Sequence, residues 1–150
     1  MRNTLGLHIV AALFAFACTA QSPTAAGQEA AADKKETTFV IDTQPAEAKV
    51  GDKSTLKVTI KPGTGYKWNE NFPAAFKIVT EAPKSVVFQR RDFDKTAFQT
   101  EAKQATLSVP FDATAANEET IDATATFSVC NDETCLIYRN EKVAMKVKVR

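Results

Sequence analysis

Residues 126–138 read TFSVCNDETCLIY and hold Cys130 and Cys135, two of the chain's three cysteines, separated by four polar residues. Thiols at this spacing can serve as a structural staple, as part of a metal site, or as a redox pair that exchanges electrons with a partner. A zinc-type site needs two further ligands beyond a Cys-x4-Cys pair. No histidine and no other cysteine lies between residues 37 and 150, so a metal centre is not expected and no cofactor is implied. The sole histidine, His8, stands in the first seventeen residues. Ser-His-Asp and Cys-His catalysis therefore cannot be assembled in the body of the chain.

The elements that would carry the cysteines read as strands. TLKVTI sets Leu56, Val58 and Ile60 on one face, with Lys57 and Thr59 on the other. TIDATATFSVC does the same with Ile121, Ala123, Ala125, Phe127 and Val129, and KVAMKVKVR with Val143, Met145, Val147 and Val149. TFVID, AFKIV, SVVF and ATLSVPF are shorter candidates, and turn residues punctuate the intervals at Gly51-Asp52, Pro62-Gly63, Phe72-Pro73, Ala82-Pro83 and Ala115-Ala116-Asn117. Period-two alternation with one wet face is the signature of antiparallel sheets. About seven strands in this length predict an all-β fold, an immunoglobulin-like antiparallel β-sandwich, with a small barrel as the alternative. DKTAFQTEAKQA has helical composition but is short, and it reads as an irregular connection.

Strand parity assigns Val129 to the buried set and Cys130 to the exposed one. Asn131-Asp132-Glu133-Thr134 is turn chemistry, and a four-residue loop makes a common hairpin. The residues flanking it face each other with Cβ atoms roughly 4.5–5.5 Å apart. In an oxidising compartment such a pair is disulfide-bonded by default. The ring is short, and chain entropy gives its closure about 2 kcal/mol before strain. The bond is thus expected to be local and accessible, as labile disulfides are, although a plain hairpin staple would look the same. Asp132 and Glu133 would raise a neighbouring thiol's pKa, and the nearest cation downstream is Arg139. That pattern fits an acceptor or donor attacked by a partner's better nucleophile.

The compartment is read at the other end of the chain. MRNTLGLHIVAALFAFA places Arg2 before the apolar run Leu5–Ala17, which has the length of a signal-peptide core and is too short for a spanning helix. Ala15-Phe16-Ala17 is an A-x-A type cleavage site, and Cys18 follows it directly, as in bacterial lipoprotein signals. Residues 1–17 are therefore expected to be a signal peptide, and Cys18 a lipid-bearing residue that anchors the exported chain to a membrane of the cell envelope. Residues 18–36, rich in Ala, Thr, Gln and Ser, cannot bury enough apolar surface to order themselves and read as a tether. Residues 37–150 make one domain. Loss of the leader removes Arg2 and no acidic residue, leaving 18 basic and 18 acidic residues. That balance argues against a nucleic-acid partner.

GYKWN, FKI, RRDFDKTAF, ATLSVPFDA and ATATFSVCNDETCL with EKVAMKVKV occur in the order of matching segments in a known family. They resemble the N-terminal periplasmic domain of the DsbD thiol:disulfide interchange reductases, over about residues 54–149. The resemblance implies an immunoglobulin-like domain whose redox centre is Cys130 and Cys135, with Cys135 the sulfur attacked first. It implies that electrons arrive from a thioredoxin-like protein and pass to exported substrates. It also places Asp92 and Phe93 in a cap loop over the cysteines and Tyr66 and Trp68 in an aromatic segment beside them. Core packing is the alternative for all three aromatics. The family's membrane conduit and thioredoxin-like domain do not appear in this sequence, so the redox partner is expected to be a separate protein. Leu136-Ile137-Tyr138 stands where many members have a proline soon after the second cysteine. The leading function is an exported, membrane-tethered thiol:disulfide exchange module. The alternative is an immunoglobulin-like lipoprotein with a structural or binding role and an inert disulfide.

Overall fold

The computed structural model describes residues 37–150. The expected signal peptide over residues 1–17, the expected tether over 18–36 and Cys18, the expected lipid-bearing residue, lie outside the described residues. In chain order the strands are β1 Phe39–Gln44, β2 Ala46–Ala48, β3 Lys53–Pro62, β4 Lys67–Trp68, β5 Ala75–Ile78, β6 Val86–Val87, β7 Asp92–Asp94, β8 Phe98–Glu101, β9 Gln104–Ala113, β10 Asn117–Cys130 and β11 Cys135–Val149. They form two sheets, ordered β1-β3-β9-β6 with β8 also on β9, and β2-β11-β10-β5-β7 with β4 also on β10. The fold is an all-β, immunoglobulin-like sandwich, as the alternation predicts.

All seven candidate segments are strands. The four additions, β2, β4, β7 and β8, have two to four residues each, too few for a period to show. DKTAFQTEAKQA is not irregular. Asp94 caps a single 3-10 turn over Lys95–Ala97 by accepting hydrogen bonds from Thr96, and the chain then enters β8 and turns into β9. Asp94 starts the turn, and the extended conformation of Phe98 ends it after three residues.

Between the sheets lie the alternating apolar residues. Leu56, Val58 and Ile60 of β3, Leu107, Val109 and Phe111 of β9, and Ile121 to Val129 at odd positions of β10 are all buried. Val143, Met145, Val147 and Val149 complete the layer from β11. Pro110 falls where β9 has a partner on the β3 side alone, since the pairing with β8 ends at Leu107 of β9 and that with β6 begins at Asp112 of β9. A missing backbone donor is tolerated in such a gap. Pro45 likewise separates β1, antiparallel to β3, from β2, parallel to β11 in the other sheet.

A polar clamp ties the sheets together. The Glu119 carboxylate of β10 accepts from the backbone N–H of Lys84 at 3.0 Å, from that of Ser85 at 2.7 Å, and from the Ser85 hydroxyl, and Ser85 is fully buried beside β6. Partial burial pushes the Glu119 carboxyl up, but the hydrogen bonds from Ser85 and Lys84, with the Lys84 charge, outweigh it and hold its pKa below the usual glutamate value. A depressed carboxylate pKa contributes stability that is fully present above the unfolded-state pKa of about 4.3 and is lost as pH falls through the folded value. Glu119→Gln is therefore expected to cost about 1–2 kcal/mol at pH 7, with the gap closing below about pH 4. Urea unfolding of both proteins from pH 3 to 7 checks this, and a difference that does not change with pH contradicts it.

Candidate functional site

The tip of the β10–β11 hairpin is built by its own loop. Asn131 donates its backbone N–H to the Thr134 carbonyl at 2.9 Å, while its side-chain oxygen accepts from the N–H groups of Glu133 and Thr134 at 3.0 and 2.7 Å. This Asx-type turn closes the four-residue loop. It leaves Cys130 and Cys135 directly opposite each other at a Cα–Cα distance of 4.0 Å, joined by a disulfide. The Asn131–Thr134 hydrogen bond makes the next rung, the cysteine pair, a non-hydrogen-bonded one, where the two strands approach most closely.

Parity decides which way the bond faces. Phe127 and Val129 point into the core, opposite Tyr138 and Leu136. Cys130 and Cys135 therefore point to the outer face of the sheet. Cys135 is exposed and Cys130 half-buried. The next outward rung pairs Ser128 with Ile137, which is 50% exposed although large and apolar. Ser128 is fully buried beneath the chain that follows β4, its hydroxyl accepting from the Asn69 side chain at 3.3 Å and its carbonyl from the Asn69 N–H at 3.1 Å. Farther down, Arg139 and Asn140 together oppose Thr126. Asn140 adopts φ 55° there and donates its N–H to the Thr126 hydroxyl at 3.2 Å. This bulge restores the inward phase for Val143 to Val149.

Beneath the tip, on the core side, lies an aromatic cluster. Trp68 stacks on Phe127 at 5.7 Å between centroids, Phe127 meets Tyr138 at 5.4 Å and Phe39 at 5.0 Å, and Trp68 meets Phe98 at 5.7 Å. The Tyr138 hydroxyl bonds Thr38 at 2.5 Å, fastening the start of β1 to the same cluster. Tyr66 and Trp68 reach this place because the chain turns sharply after β3. Gly63 donates its N–H to the Thr38 carbonyl, and a Cβ on it would stand 1.9 Å from the Thr37 carbonyl oxygen. A positive φ of 81° at Gly65 then reverses the chain, a conformation that only glycine adopts cheaply. β4 emerges antiparallel to the end of β10, with Trp68 opposite Val129 and Lys67 opposite Cys130.

Strand pairing thus puts Trp68 one rung from Cys130 but on the inner face, with Tyr66 flanking β4 and packed partly on the core, and it puts Phe93 two strands away from β10. Phe93 lies in β7, paired with Phe76 of β5, its ring buried in the core 6.2 Å from that of Phe76, with the Arg90 guanidinium 4.9 Å from its centroid. Phe76 in turn opposes Ala125, so Phe93 looks inward while the cysteines look outward. A strand pair with β5 turns it to the core, and its geometry is that of a packing aromatic. Its neighbour Asp92 is exposed and faces Lys77 at 3.8 Å. Lys67 is the residue that the sequence reading missed. A two-residue strand brings it beside Cys130, and its ammonium stands 4.0 Å from the Asp132 carboxylate, both groups widely exposed. The alternation of Tyr66 and Trp68 around Lys67 is the signal that marks this as a strand with an outward cation.

No family model matches the chain. No curated protein matches it in sequence. Solved structures similar to it in chain path include a PapD-like domain of human CEP192, at 9% identity over 77% of this chain and 87% of that one, with a TM-score of 0.37. A CARDB domain from Pyrococcus furiosus, in complex with di-metal ions, covers 75% and 90% at 14% identity and a TM-score of 0.40. The third ScaB cohesin of R. flavefaciens, in complex with a dockerin, covers 75% and 95% at 12% identity and a TM-score of 0.38. Nothing about binding or chemistry carries over from likenesses of this order.

The aromatic cluster sets a testable hierarchy. Trp68→Ala removes a ring that is 6% exposed and is expected to cost about 3–5 kcal/mol, whereas Tyr66→Ala, truncating a partly exposed side chain, costs markedly less. Denaturant unfolding of the two variants checks the order, and equal losses contradict it.

Proposed function

We propose that this protein is an exported, membrane-tethered thiol:disulfide exchange module, and that Cys130 and Cys135 relay electron pairs to or from a thioredoxin-like partner. The observation that carries the reading is the placement of the disulfide: at a hairpin tip, on the outer face, with Cys135 exposed. An attacking thiolate needs a clear line to one sulfur. The resemblance of residues 54–149 to the N-terminal domain of the DsbD reductases supports the same assignment. So do the leader-like residues 1–17 and Cys18 with its tether, which fit an envelope location held by a lipid.

The exchange runs in two balanced steps. A partner thiolate attacks Sγ of Cys135 and forms a mixed disulfide, while the electron pair of the broken Cys130–Cys135 bond leaves on Sγ of Cys130. The partner's second thiolate then attacks its own mixed-disulfide sulfur and releases Cys135. The partner ends oxidised and this domain reduced, and the two protons of the partner's thiols end on Cys130 and Cys135. The reverse sequence hands the electrons on.

The energetics favour exchange over stapling. The closed ring is worth about 2 kcal/mol at most in chain entropy, and the hairpin is already tied by a ladder running from Asn117–Val149 to the cysteines. The folded domain is thus expected to survive reduction with a loss of about 2 kcal/mol or less. Its cysteine pair is expected to equilibrate between about −270 and −120 mV, where dedicated thiol carriers lie. Redox titration against glutathione or dithiothreitol, read by thiol alkylation, measures this. A potential well below about −300 mV would instead favour the inert staple.

A further inference from the structure

The reaction above leaves a negative charge on Cys130, and the fold supplies a cation for it. Cys130 and Lys67 are directly opposed on neighbouring antiparallel strands, Val129 and Trp68 being the adjacent rung. Opposed residues share a face, and their Cβ atoms stand roughly 4.5–5.5 Å apart. Trp68 is locked into the aromatic cluster on the inner side, so Lys67 is fixed to the outer face with the disulfide.

Other charges near the tip have different engagements. The Lys103 ammonium bonds the Tyr66 carbonyl at 3.1 Å. Arg139 stands at the bulge, opposite Thr126 rather than Cys130. Asp132 and Glu133, both exposed in the loop, oppose a thiolate, and Asp132 holds Lys67 only at 4.0 Å. Lys67 is therefore the cation whose position depends on the same strand pairing that places Cys130.

We propose that Lys67 stabilises the departing thiolate of Cys130 and so sets how readily a partner opens the disulfide. This rests on the exchange reading. When a donor thiolate attacks Cys135 and the sulfur–sulfur bond breaks, the electron pair moves to Sγ of Cys130, and the ammonium trades its long contact with Asp132 for one with the new anion. A leaving thiol of lower pKa departs faster. A cation within a few ångströms favours the charged form. Asp132 works against it, both as a like charge and as a competitor for the ammonium.

Two readouts test this without any protein partner. In the Cys135→Ser background, the Cys130 thiol pKa is followed by thiolate absorbance. Lys67→Gln is expected to raise it by about half a unit to one unit, Lys67→Arg to leave it near the parent value, and Asp132→Asn to lower it. With both native cysteines present, opening of the disulfide by excess dithiothreitol is expected to slow about threefold in Lys67→Gln and not in Lys67→Arg, with the difference shrinking in 1 M salt as screening shortens its range. The second readout needs no cysteine substitution, so misfolding of the first background does not block it. Unchanged rate and pKa in Lys67→Gln overturn the proposal, as does an Arg variant that behaves like the Gln one. Because only small reagents are used, this failure is separate from failure of the exchange reading, which is read in the equilibrium potential.

Discussion

The packing of Trp68 on Phe127 fixes the outward aim of the disulfide. Phe127 lies three residues before Cys130, and its ring is held on the inner face by Trp68, Tyr138 and Phe39. Once that ring is inside, strand alternation leaves Cys130 no choice but the outer face, and the cross-strand register carries Cys135 with it. The same Trp68 ties β4 to the end of β10 and so delivers Lys67 to the next outward position. The apolar packing around Phe127 and Trp68 therefore sets the orientation of the sulfur pair and of the cation beside it.

Placement at a tip also separates chemistry from stability. The core is centred on β3, β9, β10 and β11, and its buried residues reach from Ala46 to Val149. The Glu119–Ser85 clamp joins the sheets at a distance from the hairpin tip. The Cys130–Cys135 bond closes only the Asn131–Thr134 loop, which is also held by its own Asx-type hydrogen bonds. A bond so placed contributes little to the packing of the core, and the proposed exchange requires that separation.

Much of this was legible in the residues, for a physical reason. The long strands β3, β9, β10 and β11 run ten residues or more with one face buried, so their period is strong. The turn residues of Asn131–Thr134 likewise announce the hairpin. What escaped was short or non-local. β4 has two residues, and its partner Cys130 lies far away in the chain, so no local reading pairs Lys67 with a thiol. Phe93 sits in a three-residue strand whose inward turn is dictated by β5. The bulge at Arg139–Asn140 left a trace that can be read in retrospect: the inward apolar positions are even at Leu136 and Tyr138 and odd from Val143 onward. That change of phase requires one extra residue between them.

The claim at the centre of this account is that another protein can reach and break the sulfur pair. The direct measurement incubates the oxidised domain with a thioredoxin whose resolving cysteine is replaced by serine, so that attack stops at the mixed disulfide. The account predicts a covalent one-to-one adduct that maps to Cys135 by mass spectrometry of non-reduced peptides. Quantitative recovery of the intact Cys130–Cys135 bond, with no adduct formed while the thioredoxin variant reacts with a control disulfide, would contradict it.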